Sequence, residues 1–166
     1  VAEHATVHMA IENVSTLAVK APGGIEDNRL ASYTEVSTRY QVIDKNKYYK
    51  PRKIMDSPLG ALYEKTMDEI FETYGSLYEP MREFIIKKYP IGADENDRAY
   101  QANTKGRVCD NTRYLLPTAT MANLGLTANA RQLEHMIAKM LSHPLDELKE
   151  IGAELKQKAL EVIPTL

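Results

Sequence analysis

The sequence has no tryptophan, two phenylalanines and one cysteine in 166 residues. A single Cys excludes an internal disulfide framework and any multi-cysteine zinc site. It also points to a reducing, intracellular compartment, here read as cytoplasmic. No apolar run approaches the ~18 residues that a membrane-spanning helix requires, so no membrane partner is expected. Neither charge sign dominates: 21 basic side chains face 23 acidic ones. That balance excludes a basic nucleic-acid module and an acidic tail. There is no internal repeat, no low-complexity tract and no Walker A pattern. Gly23-Gly24 alone does not make a dinucleotide fingerprint.

What remains describes a folded chain. Its length suits one domain over residues 1–166, burying roughly 70% of the surface exposed when unfolded. Val1-Ala2-Glu3-His4 enters patterned sequence directly, without a signal segment, and reads as a chain cut on its N-terminal side.

β-branched residues over 5–11 predict a short strand. Val14, Leu17, Ala18 and Ala21 fall at helical spacing, ended by Pro22-Gly23-Gly24. Residues 25–50 are polar and Tyr-rich, predicting a long irregular segment with a strand turn near Tyr40-Gln41-Val42-Ile43. From Ser57, an N-cap with Pro58 at N1, apolar residues recur at steps of three and four to about Tyr89. Pro80 would kink or break that helix. Pro90-Ile91-Gly92 is a loop, and Asp94 caps a helix to about Leu115. A further helix covers roughly Ala122 to Leu141. Ser142 or His143 caps a last one, with Pro144 at N1, to about Val162. The fold class is α+β: mainly helical, with a small sheet.

Two clusters can carry chemistry. The first lies in Arg29 to Tyr40, where Arg, Glu, Ser, Thr and Tyr crowd together with little to bury. Arg39 can grip a phosphate bidentately, with the Ser37 hydroxyl beside it. Glu35 can orient Arg39 or bond a ligand N–H. The bland alternative is a polar surface loop with one Arg–Glu pair. The second cluster is Arg113 before Leu116-Pro117, then Asn129-Ala130-Arg131 and His135. Arg131 and His135 are four apart and share a helix face, which can meet a nucleotide or cofactor or simply be solvated. His4, His8 and Glu12 have the spacing of a metal trio only on a helix, and the segment reads as a strand. Cys109 reads as an inert, buried small hydrophobe.

Ala31-Ser32-Tyr33-Thr34-Glu35-Val36-Ser37-Thr38-Arg39-Tyr40 resembles the signature of flavin-dependent thymidylate synthases, R-H-R, two residues, then S-x-N-E-x-S-x-R-Y. Glu3-His4 resembles the E-H that precedes the family's first core strand. Arg113 with Leu116-Pro117 resembles its R-x-x-L-P, and Asn129-Ala130-Arg131 its N-x-R. The resemblance implies an α/β fold and reductive methylation of dUMP to dTMP. Methylenetetrahydrofolate would give the carbon, with hydride passing through FAD reduced by NADPH. It also implies a homotetramer with sites between subunits. By resemblance Ser37, Arg39 and Arg113 are the catalytic, dUMP-contacting residues, with Glu35 beside the substrate. Glu3, Arg29, Asn129 and Arg131 would hold FAD, with His135 counted among them. The match has gaps. R-H-R reads Asp27-Asn28-Arg29, and Thr34 replaces the signature Asn. His135 stands for an expected Asn, and Met140 for an Arg that binds dUMP.

Overall fold

The computed structural model describes residues 2–164. They form two compact units, residues 2–36 with 121–164, and residues 37–120. Each follows from its own sequence pattern.

The first unit is a three-stranded antiparallel sheet backed by helices. β1 (Thr6–Ser15) and β2 (Ala31–Glu35) flank β3 (Met121–Asn129), giving the order β1-β3-β2. α1 (Thr16–Lys20), α6 (Ala130–Leu141) and α7 (Asp146–Val162) complete the unit. Leu124, Leu126 and Ala128 are buried at period two on β3, and Val7 and Ile11 on β1. With Leu133, Met136, Met140, Leu148 and Leu155 they form one core.

The predicted strand at 5–11 therefore extends to Ser15, and Val14 belongs to it rather than to a helix. The spacing misleads because the register shifts between Ile11 and Val14. Asn13 sits there at φ 57°, a conformation that Asn tolerates. Its N–H donates to Asn123 Oδ1 at 2.7 Å. Ser15 then caps α1, its hydroxyl oxygen accepting from Ala18 N–H at 3.0 Å.

The largest correction concerns residues 122–141. They begin as β3, and the helix starts only at Ala130, with Asn129 as its N-cap. Met, Ala and Leu are good helix formers, but pairing on both sides overrides that preference. β2 was hidden in the supposedly irregular 25–50 stretch, and residues 40–43 form no strand. α7 starts at Asp146, later than expected, where His143 Nδ1 accepts the Leu145 N–H at 3.0 Å.

One buried polar contact ties this unit together. Glu147, 4% exposed in the first turn of α7, accepts from both Ser15 N–H and Ser15 Oγ–H at 2.6 Å. α6 and α7 cross closely at Gly152, where an added Cβ would lie 2.8 Å from Met140 Cβ.

The second unit is helical. α2 (Arg52–Met55), α3 (Gly60–Ser76), α4 (Tyr78–Lys88) and α5 (Asp97–Thr112) lead into a 3-10 turn at Arg113–Leu115. The long helix expected from Ser57 divides at Leu77, not at Pro80. Pro80 lies in the first turn of α4, where its missing N–H has no intrahelical acceptor to lose. The expected Ser57 cap instead turns the chain before α3, its hydroxyl bonding Ile54 O and Leu59 N–H. Asn96, not Asp94, caps α5. Tyrosines supply most of the aromatic core of this unit, beside Phe71. Tyr48 packs 5.8 Å from Phe71, and its hydroxyl donates to Asp68 at 3.1 Å. Tyr100 donates to Tyr89 O at 2.9 Å, so these buried rings keep their polar ends bonded.

Glu147→Ala leaves two Ser15 donors buried without their acceptor, and should lower unfolding free energy by about 2–3 kcal/mol. Gly152→Ala should lower it by about 1–3 kcal/mol through overpacking against Met140. Urea denaturation of each variant measures both.

Candidate functional site

In the 37–120 unit, two arginines converge on one carboxylate. Arg39 lies in the turn after β2, and Arg113 follows α5 directly. Asp110, in the last turn of α5, accepts from Arg39 Nε at 2.9 Å and from Arg39 Nη2 at 2.8 Å. Arg113 Nη2 lies 3.2 Å from Asp110 Oδ1, the oxygen that also accepts from Arg39 Nε. The pairing with Arg39 is the two-pronged geometry that suits a planar guanidinium. Ser37 belongs to the same turn, its Oγ accepting from Arg39 N–H at 3.2 Å. Two guanidinium charges therefore meet one carboxylate at the surface, leaving a positive excess beside a hydroxyl.

The hydrogen bond from Arg39 is the main reason that the Asp110 carboxyl is held below the usual carboxylate range. The same bond raises the Arg39 guanidinium. Asp110 is the residue that sequence reasoning missed, although a signal existed: it stands three positions before Arg113 on one helix.

Glu35 has a different partner from the one expected. Lys20 Nζ bridges Glu35 and Glu26. Burial pulls the Lys20 ammonium down, but the hydrogen bonds to Glu26 and Glu35 outweigh it, and its pKa rises. The carboxylate that orients Arg39 is thus Asp110, and the expected Arg–Glu pair is an Arg–Asp pair.

The remaining candidates lie in the sheet-containing unit. Asn129 is not on the helix but caps it, Oδ1 accepting from Gln132 N–H at 2.9 Å. Arg131 Nε pairs with Glu3 at 3.2 Å, and both side chains are largely exposed. His135 is exposed one helical turn further on, so Arg131 and His135 do share an open face. Arg29 is exposed as well.

The residues just before Arg29 are absorbed into the fold. Asp27 accepts from Gly23 N–H at 2.7 Å, which more than any other contact holds its carboxyl below the usual range. Lys139 adds an ion pair at 3.4 Å. Asn28 is buried, its amide donating to Gly24 O and Ile25 O. Tyr33, inside the signature block, donates to Ile25 O at 2.8 Å, and burial pushes its hydroxyl up to about 12. Met140 is fully buried in the core.

Two other candidates have structural roles. His8 Nδ1 lies 2.8 Å from Thr127 Oγ1, and no metal-binding cluster occurs among the described residues. Cys109 is buried, and burial pushes its thiol up. No described helix is long and apolar enough to cross a membrane.

A family model described as thymidylate synthase complementing protein matches residues 1–165. The chain is 36% identical over 171 residues to a UPF0159 protein of Chlamydia pneumoniae, covering 99% of this chain and 32% of that protein. It is 26% identical over 193 residues to a UPF0159 protein of Thermoplasma acidophilum, covering 100% of this chain and 38% of that protein. It is 27% identical over 170 residues to a flavin-dependent thymidylate synthase of Sulfurisphaera tokodaii, covering 100% and 54%. The chain thus spans about a third to a half of the length of these relatives.

Carboxyl-detected NMR should find Asp110 titrating below the ordinary carboxylate range, and Arg39→Ala should move that midpoint up. Because the folded value is lowered, the contact with Arg39 stabilises the fold at neutral pH and is lost as the carboxyl protonates in acid.

Proposed function

This chain belongs to the thymidylate synthase complementing protein family, and from that premise we propose that it is the nucleotide-binding domain of a flavin-dependent thymidylate synthase. The reaction is reductive methylation of dUMP to dTMP, with methylenetetrahydrofolate as carbon donor and NADPH as reductant. The observation that carries the reading is the pair of arginines held by Asp110 beside Ser37.

A nucleotide monophosphate brings a dianion. Arg39 and Arg113 are gathered by Asp110 before the ligand arrives, so little side-chain entropy remains to be lost on binding. The phosphate takes up guanidinium N–H groups in the planar, two-pronged mode that suits Arg rather than Lys. Asp110 limits the repulsion between the two cations while the site is open. The Ser37 hydroxyl oxygen accepts from Arg39 N–H, which leaves its O–H to donate to the substrate. Positioning and electrostatics are the work of these side chains.

FAD supplies the hydride chemistry when bound. The donors on α6 fit its phosphates. Arg131 and His135 stand on one exposed face near the helix N-terminus, where backbone N–H groups and the helix dipole favour anions. Glu3 holds Arg131 only through an exposed pair, which yields to a phosphate at little cost. Arg29 adds a further exposed cation. Asp27 and Asn28 do not fit this role, since both are committed to the loop after α1.

That misfit favours a second reading: a non-catalytic domain of the same fold that partners an active copy. Met140 supports it, because the position where the family carries a dUMP-binding Arg lies here in the core. In the first reading the homotetramer completes each site with residues from other copies. In the second it uses this chain for assembly alone.

Arg39→Ala should weaken dUMP by roughly 1.5–3 kcal/mol and leave FAD affinity nearly unchanged. Titrating dUMP by calorimetry, and FAD by its visible absorbance, reads the two separately. Equal loss of both ligands, or of neither, removes the assignment. NADPH oxidation that depends on dUMP separates turnover from the second reading.

A further inference from the structure

In the 37–120 unit, Arg39, Lys50, Lys65, Arg82 and Arg113 each face a carboxylate. Lys88 and Arg107 face aromatic rings instead. Lys88 Nζ lies 5.6 Å from the Phe84 ring centre and 5.5 Å from that of Tyr89. The Arg107 guanidinium lies 4.1 Å from the same Tyr89 ring centre. Among the described residues no carboxylate pairs with either cation, neighbouring Glu83 included. Phe84 and Lys88 stand one turn apart on α4, while Arg107 comes from α5. Tyr89 is fixed at its backbone, where the Tyr100 hydroxyl donates to its carbonyl at 2.9 Å.

Two like charges thus share one ring with no anion between them. Stacking occupies the flat side of the Arg107 guanidinium and leaves N–H groups at its edge free to donate. The Lys88 ammonium keeps its three donors as well. Phe84 is 56% exposed and Tyr89 43%, so ring surface also stays open for a stacking partner. A phosphate would satisfy the cations and leave the rings unused, and an apolar group would do the reverse. An aromatic ring that carries carboxylates meets both. Arg107 precedes Asp110 by three residues on α5, so roughly 4.5 Å of helix axis separates this column from the paired arginines.

We infer that the column of Phe84, Lys88, Tyr89 and Arg107 holds the benzoylglutamate end of the folate co-substrate. The benzoyl ring rests on the open surface of Phe84 and Tyr89, and the two glutamate carboxylates take the N–H groups of Lys88 and Arg107. The assignment rests on the reading of Arg39 and Arg113 as the dUMP phosphate site. An extended folate is several times longer than the step between the two, so one end lies on the column while the other reaches toward the nucleotide.

The probe is p-aminobenzoylglutamate, titrated into the purified chain and followed by ligand-observed NMR. Saturable binding is expected, with or without dUMP. p-Aminobenzamide, which lacks both carboxylates, and glutamate, which lacks the ring, should each bind about tenfold more weakly or worse. The double variant K88Q/R107Q changes only exposed positions and keeps the fold by circular dichroism. It should weaken the fragment about tenfold or more and leave dUMP affinity unchanged. Phe84→Ala should weaken the fragment about threefold or more. No saturable binding, equal affinity for glutamate alone, or unchanged affinity of the double variant overturns the site and leaves the dUMP reading standing. Fragment binding by a chain that does not bind dUMP removes the folate identity together with the proposed function. Phosphatidylglycerol vesicles captured by the chain but not by the double variant, with the fragment unbound, give these cations to a membrane surface and overturn the proposal.

Discussion

The contact between Ser15 and Glu147 decides how the sheet-containing unit closes. Ser15 ends β1 and caps α1, while Glu147 opens α7. A buried carboxylate is tolerable here for two reasons. Both of its oxygens accept short hydrogen bonds, and the positive end of the α7 dipole lies alongside. The contact sets the start of α7 against the β1–α1 corner. The core behind it, from Val14 through Leu148 to Leu155, follows from that placement.

The 37–120 unit is organised by a different device. Its core tyrosines have hydroxyls that each reach an acceptor or donor, so helices and turns are tied by polar ends as well as apolar faces. On its surface Asp110 does for Arg39 and Arg113 what Glu147 does for Ser15, but in water. A surface ion pair contributes little to stability. Its value is orientation: two cations that would otherwise repel are held close and aligned. This is the preorganisation that the proposed phosphate site requires.

The sequence was legible where local physics decides. Alternation announced the start of β1, apolar spacing announced the helical stretch that divides into α3 and α4, a cap followed by Pro144 announced α7, and the scarcity of apolar residues from Arg29 to Tyr40 marked Arg39 as part of a polar segment. It misled where neighbours decide. Residues 121–129 carry helix formers and become a strand because β1 and β2 pair with them on either side. Residues 31–35 looked irregular because only one flank of β2 is paired and its buried face is slight. Glu35 looked like the partner of Arg39 because it is close in sequence. Lys20 claims it instead, through the fold of the β1–α1 corner.

The residues themselves determined the family resemblance, the class of fold and the identity of the polar side chains proposed to meet a nucleotide, since residue type and spacing are local properties. Tertiary structure decided which of them are available. Asp27, Asn28 and Tyr33 became scaffold because the chain after α1 must satisfy its own backbone groups. Met140 became core because α6 and α7 meet there over Gly152. Asp110 became the keeper of two arginines because a helix end and a turn distant in sequence converge, a closeness that one-dimensional spacing does not record.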